Sequence, residues 1–314
     1  MSQVNNPEAV LPARAELGGL APNLCLAVSK LFLKNGALKR FGFRKAEVTR
    51  FDSMENYVAD RTEQISEYQT LFRPFVSFGG KTVLEVGCNR GYLLNSFLQH
   101  ETFTAVGADI NPEALAVARE NYGDRIKFVQ TTATGIPLPD ASVDVIYTID
   151  TVEHLSRIRE MFTDCLRVLK PGGTMLVHFQ GWYGPYGSHL EDIIPFPWPN
   201  VVFSMDTLLK VAAHLYDSPD YDVACYFVDE KTGERKPNPY LDRAQWDEFL
   251  NHLTIRQFKR LIRELPFEVA HFENIGFGGR TYKVGQYLSH LSKVPVFNEF
   301  FTKATFAVLK KPAN

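Results

Sequence analysis

From about residue 81 to residue 179, short apolar runs alternate with stretches of helical periodicity. The runs 81–86, 103–108, 126–130, 143–149 and 174–179 read as strands: they are short, rich in β-branched residues, and bounded by glycine, proline or acidic residues. Between them, 92–99, 111–121 and 155–169 read as helices. Asn111 caps the second of these, with Pro112 in its first turn and Glu113 beside it, and Lys170-Pro171-Gly172-Gly173 ends the third. Strands and helices alternating at this pitch predict a parallel sheet covered on both faces. Ligands in such sheets bind beyond the carboxyl ends of the strands, where strand order reverses.

On either side the pattern changes. Residues 1–18 read as a mobile arm, and a helical stretch runs from Asn23 toward Lys39. A second stretch, 54–72, places Tyr57, Ile65, Tyr68 and Leu71 at near-helical spacing and stops at Pro74. After the fifth strand the alternation pauses over 181–252, a segment rich in aromatics and prolines with a polar part at 229–239. A Thr254-capped helix to Leu265, a strand at 267–272, a helix at 281–291 and a strand at 305–309 complete the reading. Four units follow: an N-terminal arm and helix (1–53), a cofactor-binding core (54–180), an insertion read as a substrate lid (181–252), and the C-terminal part of the core (253–314).

Composition removes several function classes. The formal net charge of -2 gives no electrostatic case for nucleic acid as a partner. No apolar run reaches the roughly 20 residues of a membrane span, and 1–16 is too polar for a signal peptide. Residues 20–43 are apolar with interleaved Lys30, Lys34, Lys39 and Arg40. An interfacial helix is one reading, but Gly36 and Gly42 interrupt it, and a helix packed on the main domain is preferred. Cys25, Cys88, Cys165 and Cys225 are scattered without metal or disulfide spacing, which suits a cytoplasmic chain. Oligomeric state has no signature.

The chemistry concentrates at the end of the first strand, in Glu85-Val86-Gly87-Cys88-Asn89-Arg90-Gly91, and at Asp109 after the second. A glycine loop between strand and helix lets bare backbone approach a ligand. A dinucleotide fingerprint needs a middle glycine, and Asn89 stands near that place, which disfavours a nicotinamide-dependent oxidoreductase. The run VLEVGCNRG, followed by VGADINPEALAVAREN, IKFVQTTATGIPLPDASVDVI, VEHL and LRVLKPGGTMLVHF, resembles the class I S-adenosylmethionine-dependent methyltransferases, in the style of the ubiquinone/menaquinone-methylase domain. FEVAHFENIGF and ATFAVLKKP resemble the antiparallel last strands of that fold. The resemblance implies a Rossmann-like, seven-stranded, mostly parallel sheet with an antiparallel last strand, helices on both faces and an insertion after strand five.

It also implies S-adenosyl-L-methionine as cofactor. Gly87, Cys88 and Gly91 would line the methionine moiety, Glu85 would help hold its ammonium, and Asp109 would accept the ribose hydroxyls. Ile110 would pack on the adenine, with Thr132 and Ala133 at its edge; Thr132 stands where an aspartate is usual. For the transfer itself, His154 is the first candidate for base or substrate-orienting residue and His189 the second, with Asp150 beside them, whereas His178 reads as structural. Asp150-Thr151-Val152-Glu153-His154 on a helical turn would bring Asp150 near both Glu153 and His154. Similar acid-x-x-Glu-His runs bind magnesium in some related methyltransferases, but magnesium prefers oxygen ligands and no metal is assigned here. The expected activity is methyl transfer to oxygen or nitrogen of a small molecule: a secondary metabolite, a quinone-like compound or a sugar. The alternatives are an RNA 2′-O-methyltransferase with a metal site and a non-catalytic cofactor-binding protein.

Overall fold

The computed structural model describes residues 17–35, 53–219, 221–277, 290–295 and 297–313. The readings of 1–16, of most of the basic stretch after Asn35, and of a helix at 281–289 lie outside the described residues. Strands β1 (Thr82–Val86), β2 (Thr104–Asp109), β3 (Ile126–Gln130), β4 (Val143–Ile149), β5 (Leu169–Phe179), β6 (Glu268–Gly276) and β7 (Thr302–Lys310) form one seven-stranded sheet. Its order is β3-β2-β1-β4-β5-β7-β6, parallel throughout except for β7, which runs antiparallel to both neighbours. β1 has β2 on one side and β4 on the other, so strand order reverses there and the β1 and β4 loops flank a crevice. This is the Rossmann-like architecture the sequence implied.

Helices α1 (Leu20–Asn35), α2 (Met54–Glu63), α3 (Ile65–Phe72), α4 (Tyr92–Leu98), α5 (Pro112–Tyr122), α6 (Ile158–Val168), α7 (Pro199–Val202), α8 (Met205–Tyr216), α9 (Arg243–Phe249) and α10 (Ile255–Glu264) are the described α-helices, with 3-10 turns at Val152–His154 and Cys225–Phe227. Each sheet face carries its own core. On one, Phe162 and Cys165 of α6 and Phe258 and Leu261 of α10 cover Leu84, Ile146 and Val177. On the other, Tyr68 and Phe72 of α3, Leu94 and Phe97 of α4 and Leu115 of α5 cover Val83, Val145 and Leu176. Phe72 stacks on Phe97 and Phe306 at centroid separations of 6.0 and 5.7 Å. Burying such a ring is worth about 2–3 kcal/mol, and it fixes α3 across the sheet.

Three local readings change. The stretch 54–72 is two helices broken at Gln64, and the break lets α2 swing over the strand ends while α3 stays on the core. The helix expected at 155–169 opens with a separate 3-10 turn, Val152–His154, before α6 begins. β5 starts at Leu169, and its pairing with β4 slips between Val143 and Val145, which absorbs Gly172 at φ 75°. The insertion also contains helices that its aromatic and proline content concealed. α1 packs on α8 of that insertion: buried Cys25 joins Leu208, Ala212 and Tyr216 in a third core, so the helix leans on the insertion and not on the main sheet. Among the described residues no helix is long and apolar enough to cross a membrane.

Candidate active site

A cleft of about 2480 Å³ runs along the carboxyl ends of the strands. Small-ligand pockets span roughly 300–1,000 Å³, so this one has room for two ligands side by side. At one end the loop after β1 turns sharply. Gly87 has φ 81°, and a Cβ there would meet the Thr151 side chain at 2.3 Å. Glycine is thus required by backbone conformation and by space. Asn89 sits at φ 47°, a conformation asparagine tolerates better than most residues, which accounts for its standing near a glycine position. The Asn89 amide donates to Asp109 Oδ2 at 2.7 Å and the Asn111 amide to Oδ1 at 2.9 Å. The carboxylate is therefore locked to the loop, with two of its roughly four acceptor positions still open. Ile110 follows it, 57 % exposed, and Thr132 and Ala133 lie on the same wall.

These residues fit S-adenosylmethionine: a cradle that a Cβ would fill, a fixed acceptor for two hydroxyls, and an exposed apolar side chain for a flat base. Gly87, Asp109, Ile110, Thr132 and Ala133 line the cleft, as do Asn89 and Arg90. Glu85, Cys88 and Gly91 do not; they lie beneath it. Glu85 is 3 % exposed under the loop, opposite Tyr147 in the β1–β4 register, with Oε2 unpartnered. Burial pushes its carboxyl up to about 8. Cys88 packs toward Gly107, burial holding its thiol well above the ordinary range.

The other end gathers side chains from distant parts of the chain. Asp150 directly follows β4 and sits in the left-handed region at φ 48°. Its carboxylate meets His178 Nδ1 at 3.2 Å and Arg61 of α2 at 3.3 Å. Burial opposes its ionisation, but His178 and Arg61 together hold it well below the usual carboxylate range. Asp150 thus pairs directly with His178 and Arg61, while its charge still acts on Glu153, His154 and His189. His178, read as structural, lines the cleft with its ring edge-on to Tyr68 at 5.4 Å.

His154 and His189 face each other at 4.9 Å between centroids, both on the cleft wall. His154 Nδ1 is 2.9 Å from the Phe249 carbonyl, and burial lowers its pKa. His189 Nε2 has no hydrogen-bond partner, and burial with the neighbouring His154 pushes the ring down to about 3. Both imidazoles are neutral at pH 7. Glu153, behind them, is 3 % exposed; burial and the Asp150 charge push it up to about 8. Its Oε1 accepts from the Gln180 amide at 3.3 Å, and Oε2 is unpartnered.

The insertion closes this end. Asn251 anchors it by donating from Nδ2 to the carbonyls of Val152 (2.7 Å) and Leu155 (3.0 Å). Glu230 of its polar segment pairs with Arg90 of the donor loop at 2.7 Å. Of the insertion's aromatics, Tyr186 lines the cleft, while Trp182 packs against His252 and Trp198 donates to the Phe300 carbonyl. Arg61, Asn251 and the Arg90–Glu230 pair were missed. An arginine on an amphipathic helix reads as solvated, and no local pattern marks its partner.

Comparison with known proteins agrees with this picture. The methyltransferase domain family matches residues 84–177. Uncharacterized methyltransferases of Mycobacterium bovis and Mycobacterium tuberculosis are 29% and 28% identical over 174 residues, covering 52% of this chain and 66% of theirs. The chain therefore spans slightly under two thirds of the length of these relatives. S-adenosylmethionine-dependent methyltransferases from Mesorhizobium loti (15% identity, TM-score 0.48, 79% of this chain and 99% of that one) and Methanosarcina mazei (17%, 0.46, 78% and 98%) are similar structures. Residues 84–177, whose strands and loops form the donor end of the cleft, thus match a methyltransferase domain, in keeping with the resemblance to class I S-adenosylmethionine-dependent methyltransferases.

Proposed function

We propose that the protein transfers the methyl group of S-adenosylmethionine to an oxygen or nitrogen of a small-molecule acceptor: a secondary metabolite, a quinone-like compound or a sugar. One observation carries this reading. The cofactor-type wall of Gly87, Asp109, Ile110 and Ala133 shares a single cleft with the neutral imidazoles of His154 and His189. When bound, the cofactor supplies an activated sulfonium methyl, so the protein's part is alignment, exclusion of water and handling of the acceptor's proton. Asp109 and the loop amides would fix the donor. His154 and His189 present lone pairs that accept a proton from a hydroxyl or amine or hold it in place, and Asp150 supplies fixed negative charge beside them. The insertion acts as lid, a role its Arg90–Glu230 pair and its His189 on the cleft wall support. Cys25, Cys88, Cys165 and Cys225 form no disulfide, which suits a reducing, cytoplasmic setting.

The test is calorimetry with S-adenosylhomocysteine, NAD and a short RNA. Binding of the first alone is expected. NAD binding overturns the cofactor assignment, and RNA binding overturns the small-molecule acceptor.

A further inference from the structure

The acceptor end holds a set of lone pairs that hydrogen bonding leaves unused. Glu153, His154 and His189 each offer one ligand atom, and the three atoms all lie within 4.8 Å of one another. Glu153 Oε1 and His189 Nε2 are 3.8 Å apart. That is too long for a hydrogen bond. It matches two ligands of one ion, which sit about 3–4 Å apart when each bond is about 2.0–2.2 Å. His189 Nε2 and Glu153 Oε2 are buried and unpartnered, and Glu153 is nine-tenths buried or more. His154 Nδ1 faces the Phe249 carbonyl at 2.9 Å. A carbonyl there takes the ring's N–H and leaves Nε2 with its lone pair, the usual outer support of a metal-bound imidazole.

We propose that Glu153, His154 and His189 form a binding site for a divalent transition-metal ion of the zinc class. Two imidazoles and one carboxylate suit zinc, cobalt or iron and disfavour magnesium or calcium, which take oxygen ligands. Three protein ligands leave an open position, and His154 and His189 line the cleft, so that position faces the space where an acceptor would lie. Asp150 is not a ligand, because Arg61 and His178 already hold it. The site rests on the methyl-transfer reading and revises one part of it: in the metal-bound chain the lone pairs of His154 and His189 would be taken by the ion, and its open position, not a free ring nitrogen, would meet the acceptor. It can still be tested apart from that reading.

The experiment uses the full chain without a histidine tag, stripped with a chelator and titrated with Zn²⁺, Co²⁺ and Mg²⁺. Elemental analysis and the visible ligand-field bands of Co²⁺ are read alongside S-adenosylhomocysteine binding. One Zn²⁺ or Co²⁺ per chain is expected, with Mg²⁺ unable to displace it. His189→Gln and Glu153→Gln should each weaken Co²⁺ by more than the ~10–100-fold that loss of an outer support costs. Asp150→Asn should retain it within a few-fold. Co²⁺ binding that is absent, or unchanged in His189→Gln, overturns the site. S-adenosylhomocysteine binding monitors the fold of each variant and separates the two readings. If it is retained without metal uptake, only the metal site fails; if it is lost from the unaltered chain, the methyl-transfer reading fails.

Discussion

The donor end of the cleft is made of backbone and one carboxylate, and each group there is held by a residue close to a strand end. Asp109 is locked by the amides of Asn89 and Asn111, and Gly87 faces Thr151. The acceptor end is made of side chains from α2, the turn after β4, β5 and the insertion, and it buries acids and imidazoles whose polar atoms lack partners. The difference is one of what each end must do. A fixed cofactor is met by geometry that the fold's strand ends supply anyway. An acceptor and its proton are met by lone pairs kept out of water, at a cost in desolvation that the rest of the fold offsets.

The sharpest way to break this division is His154→Ala. Removing an imidazole that handles the acceptor's proton should lower turnover by roughly 100-fold or more while leaving S-adenosylhomocysteine affinity within about two-fold. Steady-state kinetics and calorimetry on the same preparation decide it. Turnover equal to that of the unaltered chain removes His154 from the chemistry, and a parallel loss of cofactor affinity means the two ends are not separable.

Asp109→Ala probes the opposite end with a smaller effect. Loss of charge-assisted hydrogen bonds to two hydroxyls should weaken cofactor binding by about 10-fold, and turnover at saturating cofactor should be largely retained. Unchanged affinity would show that the carboxylate at the end of β2 does not face the ligand.

The same division explains what the sequence made legible. Gly87, Asp109, Ile110, Thr132 and Ala133 each lie at a strand end or within three residues past it, so finding the strand found the rim position. Glu85, Cys88 and Gly91 belong to the same strand-to-helix turn but are buried and do not line the cleft. That is a question of face, which spacing alone leaves open. At the acceptor end, Arg61 meets Asp150 across 89 residues. Asp150 pairs directly with His178 and Arg61, and His189 of the insertion stands beside Glu153. Tertiary contacts of this range have no local period to read.

The last prediction sharpens the comparison from beneath the donor end. Glu85 is the one acid there that is buried, with Tyr147, Cys88, Arg61 and Asp109 as its titratable and charged neighbours. Burial raises its carboxyl from about 4.5 to about 8. Between those values the folded chain keeps a proton that the unfolded chain has released. The contribution is therefore full below the unfolded value and is lost as pH rises through the folded one. The cofactor-free protein should become less stable from pH 5 to pH 8, with Glu85 accounting for up to roughly 1.4 kcal/mol per pH unit of that decline. Glu85→Gln, which keeps shape and removes the titration, should flatten the slope of denaturant midpoint against pH by that share. Glu153 and, on the insertion's part of the cleft wall, half-buried Glu191, both pushed up to about 8 chiefly by burial of their carboxyl groups, would supply the remainder. An unaltered slope in Glu85→Gln would place the whole pH sensitivity at the acceptor end and leave the donor end as neutral scaffolding.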